Sequence, residues 1–194
     1  MINSICKSFV VLLFTGLVVS CANEYAPKPR GYFRIKLPEK QYSNYNGGCN
    51  FIFEYPKYAR IETDTAYNAK PCWMDIVFPT FNARLHLSYY KITSETALNA
   101  LVEDAHTFAF KHTVKATAID EALISIPDRQ VYGILYSIQG NSASSSQFFL
   151  TDSTENYLRG ALYFNEKPKM DSIQPVLDFL REDIHVMIKS ARWK

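Results

Sequence analysis

An α+β fold is what this chain predicts: an antiparallel β-sheet packed against a long mid-chain helix and a C-terminal helix. Three observations carry the prediction. Segments between residues 50 and 90 alternate apolar and polar side chains at the period of a half-buried strand. Three strand-like segments between residues 131 and 164 are separated only by short, turn-rich loops. Two other stretches, one mid-chain and one at the C-terminus, repeat apolar residues at the helical period.

In chain order, Phe51, Phe53 and Tyr55 share one strand face and Ile52 and Glu54 the other. Asp75–Phe78 is a short apolar run closed by Pro79. Leu85, Leu87 and Tyr89 then line up opposite Arg84, His86 and Ser88. Ser94 is placed to cap a helix, with Glu95 in the first turn where the helix dipole favours an anion. Leu98, Leu101, Val102, Ala105, Phe108 and Ala109 form its core-facing stripe. Strands are expected over 131–139, 146–151 and 157–164. The intervening runs Gly140-Asn141-Ser142-Ala143-Ser144 and Asp152-Ser153-Thr154-Glu155-Asn156 make an antiparallel meander. The last helix is expected to open at Asp171-Ser172, with Pro175 in its first turn and a stripe through Ile173, Val176, Leu177, Leu180, Ile184, Met187 or Ile188, and Ala191.

Composition narrows the class. Of 194 residues, 47 % are hydrophobic and 21 % charged, which excludes disorder as the main state. A net charge of +2 is too near neutral for a chain that binds nucleic acid by bulk electrostatics. No internal repeat and no second linker divide the chain, so residues 30–194 read as a single globular domain.

The first residues set the compartment. After Lys7, the run from Phe9 to Val19 carries no charge and is too short to span a bilayer, which takes about 20 residues in a helix. It has the length of a signal-peptide core. It ends in Leu17-Val18-Val19-Ser20-Cys21, a small residue directly before a cysteine, which is the lipobox pattern. Residues 1–20 are thus expected to be a lipoprotein signal peptide, Cys21 the site of lipid attachment, and residues 21–29 a lipidated tether. Two or more acyl chains give stable anchoring where a single chain does not. The eight residues after Cys21 reach at most about 30 Å, which keeps the domain near the membrane. Cleavage removes Lys7 and no acid, leaving 20 basic and 19 acidic side chains.

Cys6 leaves with the signal peptide and Cys21 takes the lipid, so Cys49 and Cys72 remain. In an oxidising compartment they are an even pair with one possible connectivity, the alternative being two buried free thiols. A bond would close a loop of about 24 residues, worth roughly 3 kcal/mol by chain entropy.

Candidate chemistry is sparse. His106 and His112 fall on one predicted helix but six residues apart, so they point about 120° from each other and cannot form a helical metal pair. His86 lies on the polar face of a strand and His185 one turn after Arg181. No metal site and no cofactor are expected. Gly140 to Ser144 resembles the G-x-S-x-G elbow without its last glycine, and it joins strand to strand rather than strand to helix. No catalytic residue is therefore assigned. Glu103-Asp104 and Glu182-Asp183 are expected on outer helix faces, as solvated charge. The segment around Lys28, Arg30, Tyr32, Phe33 and Arg34 combines cations and aromatics directly after the tether. It reads either as a partner-binding surface or as an edge strand completing the core.

The same segment, extended as PKPRGYFRIKLPEKQY, is similar to the gliding-motility lipoprotein GldD family of the Bacteroidota. So are FEYPKYA (53–59), CWMDIVFPTFNARLHLSYY (72–90), HTFAFKHTVKA (106–116), VYGILYSIQG (131–140), SSQFFLTDS (145–153), LRGALYFN (158–165) and DFLREDI (178–184). The resemblance spans nearly the whole mature chain. It implies a cell-envelope lipoprotein needed for gliding and for the associated type IX secretion machinery, with other proteins of that apparatus as partners. It carries over no catalytic residue. The order strand, long helix, meander, helix also resembles the PsbP/Mog1-like fold, an analogy without functional content. The expected function is accordingly a non-enzymatic lipoprotein that assists assembly or stability of the gliding and secretion apparatus. Ala22-Asn23 lacks the lysine-plus-acid cluster resembling surface-export signals, which favours the outer membrane facing the periplasm. The competing readings are a periplasmic ligand- or peptidoglycan-binding module, suggested by 13 Tyr and 13 Phe, and a hydrolase, which the His and Ser positions do little to support.

Overall fold

The computed structural model describes residues 35–111, 115–165 and 170–194. The expected signal peptide, Cys21, the tether, and Lys28, Arg30, Tyr32, Phe33 and Arg34 lie outside the described residues, as does His112. Ile35–Lys194 forms one compact unit.

Ten strands and two α-helices follow one another among the described residues. They are β1 (Tyr42–Tyr45), β2 (Phe51–Pro56), β3 (Arg60–Thr63), β4 (Met74–Phe78), β5 (Ala83–Lys91), α1 (Glu95–Phe110), β6 (Ala116–Ile126), β7 (Val131–Gly140), β8 (Ser144–Thr151), β9 (Asn156–Phe164), α2 (Met170–Ser190) and β10 (Arg192–Trp193). Seven strands build the main sheet in the order β3-β4-β5-β9-β8-β7-β6, every pair antiparallel. A smaller antiparallel sheet has the order β1-β2-β10. Two meanders thus meet at β5 and β9, which pair over nine residues from Ala83↔Phe164 to Lys91↔Asn156.

Local chemistry explains the connections. The β4–β5 and β6–β7 links are both single 3-10 turns opened by a proline, Pro79–Phe81 and Pro127–Arg129, and closed by a left-handed residue, Asn82 or Gln130. Proline presets φ for the first turn position, and the left-handed residue turns the chain back into the next strand. Gly140 ends β7 at φ +92°, where a Cβ would also meet the Lys115 carbonyl oxygen at 2.8 Å. The β8–β9 turn is held by Asp152, whose Oδ1 accepts from the backbone N–H groups of Thr154, Glu155 and Asn156 at 2.8–2.9 Å. Burial opposes ionisation of Asp152, but the hydrogen bonds from Asn156, Thr154 and Glu155 outweigh it and hold the carboxyl below its ordinary value. Ser94 caps α1, its hydroxyl accepting from the Ala97 N–H at 3.1 Å.

The main sheet buries both faces. One carries Phe78, Leu85, Leu87, Phe148, Leu150 and Leu162 against α2 and the small sheet. The other carries Tyr136, Ile138, Phe149 and Tyr157 against Ala105 and Ala109 of α1. The Tyr157 hydroxyl donates to the Leu101 carbonyl at 2.9 Å, joining β9 to α1. The expected α+β architecture is the one observed.

Several details differ from the sequence reading. Helix α1 ends at Phe110, with Lys111 as its C-cap. Phe108 is not core: it is 40 % exposed, its ring contacted by the Lys111 ammonium and the Arg159 guanidinium at 4.8 and 4.7 Å from the centroid. Pro175 is inside α2 rather than in its first turn, because the helix opens at Met170. Strands β1, β3, β6 and β10 are not foreshadowed by alternation. Three are short, and β6 leaves most of its side chains in solvent.

Candidate functional site

The one buried carboxylate in the described core belongs to Asp183, on α2. It stands seven residues after Val176, three after Leu180 and four before Met187, all buried, so the helical period turns it inward. Its neighbour Glu182 points out, with a side chain 72 % exposed. The expectation that both acids are solvated is corrected for Asp183, because adjacent helical residues lie 100° apart and cannot share a face.

Three side chains from the N-terminal part of the unit converge on it. The Lys40 ammonium donates to Asp183 Oδ1 at 2.8 Å and to the Phe179 carbonyl at 2.6 Å, and lies 3.7 Å from the Phe179 ring centroid. The Tyr42 hydroxyl, on β1, donates to the same oxygen at 2.8 Å. The Tyr58 hydroxyl, from the β2–β3 turn, donates to Oδ2. Burial first, and then the hydrogen bond to the Asp183 carboxylate, raise both phenols well above their ordinary value, so they remain donors across the accessible pH range. The carboxylate is thereby paired and hydrogen-bonded, the condition under which a buried charge is tolerated. Chemically this is a clamp. It ties Lys40, β1 and the β2–β3 turn to the C-terminal helix. A cavity of about 10 Å³ beside it, lined by Tyr55, Ile76, Phe78, Leu85 and Met187, has room for about one water.

A second polar constellation lies on the α1 side of the main sheet, on β3, β4 and β5. Arg60 Nε donates to Glu62 at 2.7 Å, and Arg84 bridges Glu62 and Asp75 at 3.1 Å each. Asp75 in turn pairs with His86, Nδ1 to Oδ1 at 2.5 Å. The signs alternate along the row, so it is self-neutralising. The hydrogen bond from Arg60 leads the causes that hold Glu62 below its ordinary value, and the bond to Asp75 leads those that raise Arg84. His86 is half-exposed and meets the Tyr163 ring edge-on at 5.4 Å.

The other sequence-predicted positions do not gather. His106 stacks on Phe110, one turn along α1. His185 stands on α2, its pKa lowered by partial desolvation and by the charges of Lys189 and Arg181. Among the described residues no three His, Cys, Asp or Glu side chains are placed to share a metal. The serines of the 140–146 segment are buried turn and bulge formers: Ser142 Oγ donates to the Ser144 carbonyl at 2.9 Å. Cys49 and Cys72 are joined by a disulfide with Cα atoms 5.8 Å apart. The bond links the start of β2 to the start of β4. No helix of the described residues is long and apolar enough to cross a membrane.

The sequence reading did not single out Lys40, Tyr42 and Tyr58, although all three stand in the motifs PEKQY and PKYA. The signal that could have found the site is the phase of Asp183 within the apolar stripe of α2. An inward acid demands donors, but nothing local says which residues supply them.

A family model described as "Gliding motility lipoprotein GldD" matches residues 22–193. None of the curated proteins matches. The solution structure of cyanobacterial PsbP from Synechocystis is similar over 84 % of this chain and 98 % of that one, at 9 % identity and a TM-score of 0.46.

Proposed function

From the membership of this chain in the gliding motility lipoprotein GldD family, we propose that it is a non-enzymatic lipoprotein, held to the envelope through Cys21, that supports gliding and the assembly or stability of the type IX secretion machinery. The domain hangs from the outer membrane into the periplasm and acts by contacting other proteins of the apparatus. The observation that carries this reading is the family match, which begins one residue after Cys21 and runs to Trp193. The Asp183 clamp supports it: the polar effort in the interior goes into fastening the segment next to the anchor, not into presenting a reactive group.

The test is replacement of the chromosomal copy by Cys21→Ala. The expected result is an unlipidated precursor or soluble product, with gliding and secretion lost although the domain folds. Palmitate labelling that persists in the variant, or normal gliding from a soluble domain, would overturn the reading.

A further inference from the structure

The main sheet ends in two very different edges. At one, β3 is four residues long and carries the Arg60–Glu62 ion pair, two of the devices that keep an edge from recruiting another strand. At the other, β6 runs for eleven residues, Ala116–Ile126, and among the described residues it pairs only with β7. Its register is shifted only between Ala116 and Ala118, at its first end, and is regular from Ala118↔Gln139 to Ile126↔Val131. Nine regular residues at about 3.4 Å each present a straight edge of roughly 30 Å. The strand contains no proline and no lysine or arginine; Lys115 and Arg129 stand beyond its two ends. Its protections are confined to the irregularity at its first end and to the carboxylates of Asp120 and Glu121, so from Leu123 to Ile126 the edge carries none.

Two further features give the edge a character. Leu123, mid-strand, is 88 % exposed, while Ile124 beside it is buried. Asp120 and Glu121 put a carboxylate on each face of the strand, since successive side chains alternate. On the α1 face Glu103 lies near enough to join Glu121 in acting on the Tyr136 hydroxyl, so the acid extends from the edge onto the helix. Asp120 accepts from the Gln139 amide at 2.8 Å, a neutral donor that does not offset its charge.

We infer that the free edge of β6 is a docking site for an extended segment of a partner protein, added as an eighth strand, with cationic residues opposite Asp120 and Glu121 and an apolar residue beside Leu123. Backbone hydrogen bonds supply the affinity of such strand addition, and the side chains supply its selectivity. Charge selects the occupant. Two copies of β6 brought edge to edge would assemble four carboxylates and no cation, whereas a lysine- or arginine-bearing strand neutralises each acid it meets.

The probe is the fluorescent peptide TVTKKVTVT, acetylated and amidated, titrated against the mature full-length chain in detergent. It is expected to bind, to bind at least tenfold more weakly to Glu121→Lys, and to weaken as salt rises. Leu123→Lys, fully surface, should lower affinity with an unchanged unfolding midpoint. The same peptide N-methylated at alternate residues keeps its charge but cannot pair its backbone, and should not bind. Equal binding of the methylated peptide, equal binding to Glu121→Lys, or no binding at millimolar peptide would each overturn the inference. So would a dimer of the wild-type chain that Leu123→Lys dissolves, because a second copy would then own the edge. None of these outcomes depends on the lipid, so they are independent of the Cys21 test.

Discussion

Asp183→Ala is the most informative single substitution for the interior. It removes a carboxylate that accepts from Lys40 and Tyr42 at 2.8 Å each and from Tyr58. Breaking a buried ion pair by deleting one partner costs about 3–5 kcal/mol. Lys40 is 25 % exposed and keeps Glu182 at 3.4 Å as a second, weaker counter-ion, which moves the expectation to the lower end of that range. Two phenols left with poorer partners add about 1 kcal/mol each. The sum is about 5 kcal/mol. At about 2–4 °C per kcal/mol for a chain of this size, the unfolding midpoint should drop by roughly 10–20 °C. Lys40→Met should cost less, about 2 kcal/mol, because the two tyrosines still satisfy the carboxylate. Urea unfolding of both single variants and the double variant measures the coupling between the residues, expected at about 1–3 kcal/mol. A loss below 1 kcal/mol for Asp183→Ala, or additive single effects, would show that the clamp is not what holds the N-terminal segment to α2.

Three other outcomes can be checked. Mass spectrometry of unreduced protein should recover Cys49 and Cys72 in one linked peptide, and reduction should cost about 2–5 kcal/mol; thiols that alkylate freely without reductant would contradict the bond. Because the folded state holds the Asp152 carboxyl below 3.8, the stability it contributes is complete above that value and is lost as pH falls through the folded one. Asp152→Asn should therefore flatten the fall of the melting midpoint below pH 4, and an unchanged acid slope would refute the assignment. Changing Lys28, Arg30 and Arg34 together to Ser should leave stability within about 0.5 kcal/mol while impairing gliding and secretion; normal motility in a folded triple variant would remove that segment from the contact surface.

Periodicity is local, and everything it governs was legible in the chain. The stripe from Val176 to Ala191 defines α2, Ser94 defines the start of α1, and the alternation of Phe51 and Phe53 or Leu85 and Leu87 defines the inner face of β2 and β5. The even pair of cysteines, Cys49 and Cys72, is local arithmetic of the same kind. Phe108 and Asp183 show where that logic stops. One sits on a predicted apolar stripe and the other beside a solvated acid, yet Phe108 is exposed beneath two cations and Asp183 is buried beneath three donors. Whether a side chain at the margin of a helical face is covered depends on how far its partner layer extends, and that is set by residues up to 143 positions away. The edge strand β6 is the same case in reverse. A strand with water on most of its surface carries no alternation, so its existence is decided by the hydrogen-bonding ladder of β7 and not by its own side chains. Local sequence determined the helices and the core strands of this protein; among the described residues, long-range pairing alone decided which carboxylate is enclosed and which edge stays open.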